Sequence, residues 1–193
     1  MADRPSDPPA DRASPPGPTP NPLAERPFPN APLRSSERTV PPEWIDYNGH
    51  MNIGYYGLAF DRALDDVYDD WLDMGAAYVA REGMGPFALQ EQIHFLQEIR
   101  QGQRFHTEVL LLDCDHKRMH FISSMIASPP EGEAGEPFLA ATAEQLSMNV
   151  SHETRRSAPY PERAQVRLEA LMAAHRGLPR PPQVGAPLGI RRR

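Results

Sequence analysis

The sequence predicts an α+β fold in which one face of an antiparallel sheet covers a single long helix. The helix is indicated over residues 53–73, where apolar side chains recur every three or four positions. At about 1.5 Å per residue it spans about 30 Å, enough to cross a whole sheet. Four strand candidates follow it with short connections, which favours antiparallel neighbours. One face of that sheet must cover the apolar stripe of the helix.

Residues 1–36 form a separate, proline-rich arm. They hold 11 of the chain's 23 prolines and few apolar residues. Proline removes backbone donors and breaks helices, and little apolar surface is present to offset the entropy of ordering. We expect a disordered or polyproline-like arm that either docks a partner or is a tolerated extension. The folded domain is expected over residues 37–160.

The first ordered elements lead into the long helix. Residues 38–40 indicate a short strand, which Pro41 and Pro42 end. Asn52 is a good N-cap for a helix that starts at Ile53. The apolar face of this helix consists of Tyr56, Phe60, Ala63, Leu64, Val67 and Trp71. The opposite face is charged, so the helix is expected to lie on the sheet with one side in water.

After the helix the pattern changes to strands. Residues 78–85 indicate a short helix or loop, and Gly102 marks the turn between the first two strands. The four strands are expected over residues 88–99, 103–113, 118–128 and 138–151. The edges and the second face of this sheet are too apolar to be left in water, so we expect at least a dimer.

A terminal helix is expected over residues 161–178. Pro161 occupies its first position and Gly177 follows its last periodic residue. Residues 179–193 are expected to form a loose tail.

The composition excludes several classes of function. The net charge of -6 argues against binding to nucleic acid or to an anionic membrane. No apolar run approaches the roughly 20 residues that cross a bilayer, and the first residues lack the apolar core of a secretory signal. Cys114 is the only cysteine, so no internal disulfide forms. We expect a cytoplasmic protein without a cofactor or metal.

The most informative motif is the run Asp-Tyr-Asn-Gly-His-Met-Asn at residues 46–52, directly before the long helix. A carboxylate can attack a carbonyl or deprotonate water. The amides at a helix N-terminus can stabilise an oxyanion, and Gly49 allows close backbone approach. Together these groups predict half of an acyl-transfer site. The alternative is a turn whose Asn52 merely caps a helix.

This motif, followed by Tyr55 and Tyr56, resembles that of the hotdog-fold acyl-CoA thioesterases of the 4-hydroxybenzoyl-CoA thioesterase type. The resemblance covers about residues 38–160. Within that family, residues 42–52, 94–98, 115–120 and 143–145 are similar to the betainyl-CoA thioesterases of carnitine and betaine metabolism.

The resemblance implies a curved antiparallel sheet wrapped round the central helix, the hotdog fold. It implies a homodimer or homotetramer that binds its acyl-CoA substrate at subunit interfaces. Asp46 matches the position of the catalytic carboxylate, and the amide of Ile53 or Gly54 matches the oxyanion-binding position. The best substrate prediction is betainyl-CoA, hydrolysed to betaine and CoA in carnitine degradation.

Other residues are predicted to support this site, each with a structural alternative. His50 either polarises the carbonyl or shapes the turn. The substrate-binding candidates are Asn48, Gly49, Tyr47, Trp44, Tyr55 and Glu144. The aromatic members would suit a trimethylammonium group, or else pack in the core. His94, Glu98 and Glu144 lie in strands that could face the site, or are ordinary solvated or paired strand residues.

Two other functions remain open from the sequence. One is a noncatalytic protein of the same fold that binds or senses acyl-CoA, because fold does not fix function. The other is an acyl-CoA hydratase or dehydratase, which would act without releasing thiol.

Overall fold

The computed structural model describes residue 23 and residues 26–190. The strands are β1 (Leu33–Arg34), β2 (Arg38–Thr39), β3 (Met84–Phe95), β4 (Arg104–Cys114), β5 (Arg118–Ala127) and β6 (Phe138–Ser151). The helices are α1 (Ile53–Val67), α2 (Ala76–Glu82) and α3 (Glu162–His175), with a 3-10 turn at Pro42–Trp44 and a π-helical turn at Tyr68–Leu72.

In this part of the chain the strands form one open antiparallel sheet. Its spatial order is β1-β4-β5-β6-β3, and β2 also pairs with β4. The strand β3 therefore lies at an edge, beside β6, with Ile93 opposite Ala143. The predicted α+β class with an antiparallel sheet is confirmed.

Helix α1 packs on one face of this sheet through the predicted apolar stripe. Near its N-terminus, Tyr56 and Phe60 belong to a buried cluster with Met125 of β5. Towards its C-terminus, Leu64 and Val67 belong to a second cluster, which also contains residues of α3. The helix thus spans the sheet, and the motif at its N-terminus is held at one end of the molecule.

The helical segment has the predicted start and end but changes geometry on the way. It begins at Ile53 because the side chain of Asn52 caps it. After Val67 it widens into the π-helical turn, which buries both Tyr68 and Leu72, and Asp73 ends it in the left-handed region at φ 53°.

The proline-rich arm differs from the prediction in its last residues. Positions 1–22, 24 and 25 lie outside the described residues, but 26–36 pack on the domain. Leu33 is fully buried and pairs with Val109, and the guanidinium of Arg26 lies 3.6 Å from the ring centre of Trp71. The expected disorder up to residue 36 is therefore wrong for residues 26–36, because the edge of β4 offers free backbone groups and an apolar site for Leu33.

The C-terminal tail also differs from the prediction. Leu178 and Val184 pack against the face of the sheet that α1 does not cover, on a small cluster of Leu110, Leu112 and Ile122. Two hydrogen bonds, described below, join the tail to β3 and β6. Because this apolar face needs cover, the tail is bound up to about residue 186, whereas Leu188 and Ile190 are exposed.

Candidate active site

The motif at residues 46–52 forms a closed turn in front of α1. Ile45 and Met51 face each other as a β-bridge, and the Asp46 N–H donates to the carbonyl oxygen of His50 at 3.1 Å. The Gly49 N–H donates back to the carbonyl oxygen of Asp46 at 3.0 Å, with Gly49 at φ 81°. This left-handed conformation suits glycine and lets the turn close.

The carboxylate of Asp46 is fixed within this turn. Its Oδ1 accepts the backbone N–H of Asn48 at 2.8 Å, and its Oδ2 lies 3.5 Å from Nδ2 of Asn52. Asp46 is half-buried. Among the described residues only the long contact with Asn52 engages Oδ2, so this oxygen is the one available to attack a carbonyl or to take a proton from water.

The two helix amides predicted to bind an oxyanion differ in the structure. The Gly54 N–H donates to Oδ1 of Asn52 at 3.0 Å, as part of the helix cap. The Ile53 N–H meets no acceptor among the residues that the structure describes. The prediction for Gly54 therefore conflicts with its capping hydrogen bond, whereas the amide of Ile53 is available to a ligand.

His50 is half-buried at the end of the turn. Its Nδ1 lies 3.2 Å from the carbonyl oxygen of Met51. Because a carbonyl only accepts, this contact assigns the proton to Nδ1 and leaves Nε2 of the neutral ring as an acceptor. This geometry fits both the catalytic and the turn-shaping interpretation.

A cleft of about 330 Å³ adjoins the start of α1. It is lined by His50, Met51, Ile53, Tyr56, Phe95, Leu96, Gln97 and Glu98. The rings of Tyr56 and Phe95 meet edge to face, with centroids 5.0 Å apart. Burial raises the pKa of the Tyr56 phenol, and the negative charge of Glu98 adds to the rise.

Backbone hydrogen bonds place the segment after β3 beside the motif. The Met51 N–H donates to the carbonyl oxygen of Ile99 at 2.8 Å. The N–H groups of Leu96 and Gln97 both donate to the carbonyl oxygen of Ala140, at 2.9 and 3.0 Å. The bond to Ile99, which lies 48 residues after Met51, brings this segment to the N-terminus of the helix, and the bonds to Ala140 hold it on β6.

The aromatic residues around the motif have different positions. Trp44 is 6% exposed, and its ring stacks on Tyr55 with centroids 5.2 Å apart. Tyr47 is 96% exposed at the tip of the turn. None of the three lines the cleft at the start of α1, so the contact of Trp44 with Tyr55 fits the core-packing interpretation.

Glu144 does not join this site. It lies on the face of the sheet opposite α1, where its Oε1 is 2.8 Å from Nε2 of His120. Its Oε2 accepts the N–H of Gly185 at 2.7 Å, and Gln92 Nε2 donates to the carbonyl oxygen of Ala186 at 2.7 Å. The structure therefore does not bring Glu144 to the cleft at the start of α1, and its carboxylate contacts His120 and the tail instead.

Sequence reasoning missed the full lining of the cleft. Glu98 was one of three strand residues that could face the site, and the structure selects it. Tyr56 was predicted only as a residue of the helix face, and Phe95 was not singled out. The similarity of residues 94–98 to the related family was the signal that could have found Phe95.

The remaining reactive groups lie apart from the cleft. Burial raises the pKa of Cys114 to about 11, with Asp113 adding to the rise, so this thiol is a poor nucleophile. In residues 23 and 26–190, no group of three or more His, Cys, Asp or Glu side chains could hold a metal ion. No helix in the same part of the chain is long and apolar enough to cross a membrane.

Comparison with known proteins relates this arrangement to one family. The family model described as the thioesterase-like superfamily matches residues 40–168. A betainyl-CoA thioesterase of Pseudomonas aeruginosa is 35% identical over 158 residues, covering 82% of this chain and 95% of that protein. An L-carnitine dehydrogenase/betainyl-CoA thioesterase of Rhizobium meliloti is 29% identical over 163 residues, covering 84% of this chain and 31% of that protein.

Among solved structures, a hypothetical protein of Staphylococcus aureus in complex with CoA has the same fold. The TM-score is 0.72 at 24% identity, covering 86% of this chain and 100% of that one. The predicted hotdog fold is confirmed by these similarities.

Proposed function

The chain belongs to the thioesterase-like superfamily and hydrolyses acyl-CoA thioesters, and we propose that its substrate is betainyl-CoA, which it converts to betaine and CoA. The similarity to the Pseudomonas aeruginosa betainyl-CoA thioesterase over most of both chains supports this substrate. The observation that carries the site assignment is the free amide of Ile53 next to Asn52, whose side chain contacts the Asp46 carboxylate.

In this proposal Asp46 starts the reaction. Its carboxylate either attacks the thioester carbonyl carbon or takes a proton from a water that attacks it. The C–S bond then breaks, and its electron pair leaves with the sulfur of CoA, which is protonated. In the first route an anhydride with Asp46 is hydrolysed in a second step.

The N-terminus of α1 stabilises the negative charge that develops on the carbonyl oxygen. The Ile53 N–H donates to that oxygen, and the aligned peptide dipoles place roughly half a positive charge at this end of the helix. Gly54 contributes indirectly, because its hydrogen bond to Asn52 fixes the cap beside Asp46. His50 lines the cleft at the start of α1, where its Nε2 can accept a proton from water.

The primary experiment is free-thiol release from a panel of acyl-CoAs that includes betainyl-CoA. The variant Asp46→Asn is expected to lose at least about 10²-fold in kcat. Glu43→Gln is a matched control, because Glu43 is an exposed carboxylate three residues away. It is expected to retain the activity of the wild type, and both variants are expected to keep its melting temperature.

Three results would contradict parts of this proposal. Equal rates in Asp46→Asn and the wild type would remove Asp46 from the chemistry. Tight binding of acyl-CoA with no thiol release would favour the noncatalytic binding protein. Hydration of an enoyl-CoA without thiol release would favour the hydratase.

We further propose that a second copy of the chain completes the site. The 12-residue strand β3 pairs only with β6 among the described strands, so its other edge has free backbone groups. Leu89 on this strand is 50% exposed, and the strand ends at Phe95, beside the cleft. A second β3 pairing along this edge would cover Leu89 and close the cleft, in a dimer or in a tetramer built from such dimers.

Light scattering after size exclusion tests this assembly. Leu89→Glu places a charge in the proposed interface, and we expect a monomer with reduced kcat/KM. The control Leu188→Glu makes the same change at a 96% exposed leucine in the tail and should leave the assembly intact. An unchanged oligomer in Leu89→Glu, or a monomeric wild type with full activity, would contradict the proposal.

We also propose that the reaction takes place in the cytoplasm. A CoA-linked substrate and a single, unpaired cysteine both suit a reducing compartment. Fractionation of cells that express the tagged chain checks this, and recovery outside the cytoplasmic fraction would contradict it.

A further inference from the structure

We propose that Glu98, Tyr56 and Phe95 form a subsite for the cationic end of the acyl group and set a preference for cationic over neutral acyl-CoAs. All three residues line the cleft that also contains His50 and Ile53. This inference rests on the proposed function, since it takes the thioester carbonyl to bind at the Ile53 amide.

The short distance between the carbonyl and the ammonium group of the substrate places the ammonium group in this cleft. In a betainyl thioester the ammonium nitrogen is two bonds from the carbonyl carbon, a distance of about 2.5 Å. With the carbonyl oxygen on the Ile53 N–H, the three methyl groups must lie close to the start of α1. Tyr56 is one helical turn from Ile53, and both side chains border the same cleft.

Glu98 supplies the charge of the subsite. It is the only carboxylate in the lining of this cleft within residues 23 and 26–190. Arg100 donates from Nε at 3.0 Å and from Nη2 at 2.5 Å, both to Oε1 of Glu98. The second oxygen, Oε2, accepts no hydrogen bond from the described residues. A quaternary ammonium has no N–H to donate, so it needs a nearby negative charge rather than a hydrogen-bond geometry.

The two aromatic rings supply surfaces that suit methylated cations. Tyr56 is buried, whereas Phe95 is 51% exposed, and their planes meet at 81°. In this edge-to-face pair the buried ring of Tyr56 packs against Phe95, half of whose surface remains exposed to a ligand. Faces of aromatic rings attract quaternary ammonium groups through their quadrupole.

The subsite is also held in place before the substrate binds. The segment that follows Phe95 is joined to β6 through Ala140 and to the catalytic turn through the hydrogen bond between Met51 and Ile99. Because these contacts are between backbone groups, side-chain substitutions in the subsite leave them intact. Preorganisation of this kind lowers the entropy cost of binding.

The test compares two isosteric substrates, betainyl-CoA and 3,3-dimethylbutanoyl-CoA. They differ only in a quaternary nitrogen that replaces a quaternary carbon. The ammonium also activates the carbonyl inductively, but this effect is the same in every variant, so a change in the ratio of the two kcat/KM values isolates the effect of charge in the subsite. Glu98→Gln and Phe95→Leu are each expected to lower this ratio about threefold to tenfold. The wild type is expected to prefer betainyl-CoA.

Glu37→Gln is the matched control for Glu98→Gln. Glu37 forms a similarly exposed ion pair with Arg104, at 3.2 Å, outside the cleft. The control removes the same charge and the same kind of ion pair, so it should leave the ratio unchanged. Size exclusion of each variant checks that the oligomer is retained, because Phe95 lies at the end of the edge strand.

The possible outcomes separate the two proposals. Thiol release at equal rates from both esters by the wild type would overturn the cationic subsite alone. The same conclusion follows if the ratio is unchanged in Glu98→Gln and Phe95→Leu, or falls equally in Glu37→Gln. A wild type that releases thiol from neither ester would overturn the proposed substrate and the subsite with it.

Discussion

The side chain of Asn52 connects Asp46 to the first turn of helix α1. Its Nδ2 lies 3.5 Å from Oδ2 of Asp46, while its Oδ1 accepts the N–H of Gly54 at 3.0 Å. One amide group therefore contacts both the carboxylate and the helix N-terminus. In a thioesterase these are the groups that must lie on either side of the reacting carbonyl.

Asn52→Asp separates the two roles of this residue. Aspartate is as good an N-cap as asparagine, so the helix cap is retained, and repulsion between the two carboxylates should lower the free energy of unfolding by only about 1 kcal/mol. It cannot donate to Asp46 and places a like charge beside it. We expect kcat to fall about tenfold and the acid limb of the pH–rate profile to move to higher pH. Asn48→Asp adds the same charge elsewhere in the turn, and an equal effect there would exclude a specific role for Asn52.

Gly49→Ala tests the conformation of the turn. A Cβ added at Gly49 would meet no atom within 4 Å, so the cost arises from the backbone at φ 81° alone. We expect a destabilisation of about 1–2 kcal/mol in urea denaturation. Gly54→Ala is the control, because Gly54 is helical and alanine there should not destabilise the protein. Equal effects of the two substitutions would contradict the turn geometry.

Removal of residues 179–193 tests the bound tail. It deletes the contact of Val184 with the sheet and the hydrogen bonds to Glu144 and Gln92. We expect the free energy of unfolding to fall by about 1–3 kcal/mol. The kcat of the truncated enzyme should stay close to that of the wild type, because the tail lies on the face opposite the site. An unchanged melting temperature, or lost activity in a stable protein, would contradict this.

The buried His175 is expected to make the folded protein less stable in mild acid. The Leu111 N–H donates to its Nδ1 at 2.9 Å, and burial lowers the pKa of His175 below its ordinary value of 6.5. Below pH 6.5 the unfolded chain therefore binds more protons than the folded one. The contribution of neutral His175 to the free energy of unfolding is fully present above pH 6.5 and is lost as the pH falls towards the folded pKa. Burial also lowers the pKa of His106, which acts in the same direction.

Chemical denaturation from pH 7.5 to 5 measures this effect. His175→Gln should have a flatter dependence of unfolding free energy on pH than the wild type, whatever its absolute stability. His116→Gln changes an exposed histidine and should keep the slope of the wild type. A wild-type slope in His175→Gln would show that His175 does not cause the acid sensitivity.

The helices and strands that could be predicted from the sequence are those marked by residues within or next to them. The last strand has the predicted bounds, residues 138–151, and α1 begins where Asn52 indicated a cap. The first long strand begins earlier than predicted, at Met84 instead of residue 88. Gly85 and Pro86 indicated a loop, but proline is tolerated in β3 because this strand lies at an edge of the sheet.

In the candidate site, too, only the residues close together in sequence could be predicted. The motif at residues 46–52 identified Asp46 and the helix N-terminus, because residues this close in sequence are close in space. Glu144 lies on the other face of the sheet, and strand periodicity alone does not show which face meets the site. The order of the strands and the path of the tail decide that face.

By itself the sequence determined the fold class, the thioesterase family and the position of the acyl-transfer motif, since each depends on short-range patterns or on a contiguous run of residues. Only the tertiary structure decided that the Ile53 amide is free while Gly54 caps the helix, and that Phe95 and Glu98 lie beside that amide. The first depends on the exact geometry of the Asn52 cap, and the second on hydrogen bonds between segments far apart in the chain, which no local pattern encodes. The docking of the tail over Glu144 has the same origin, because an apolar sheet face is covered by whichever segment the fold brings to it.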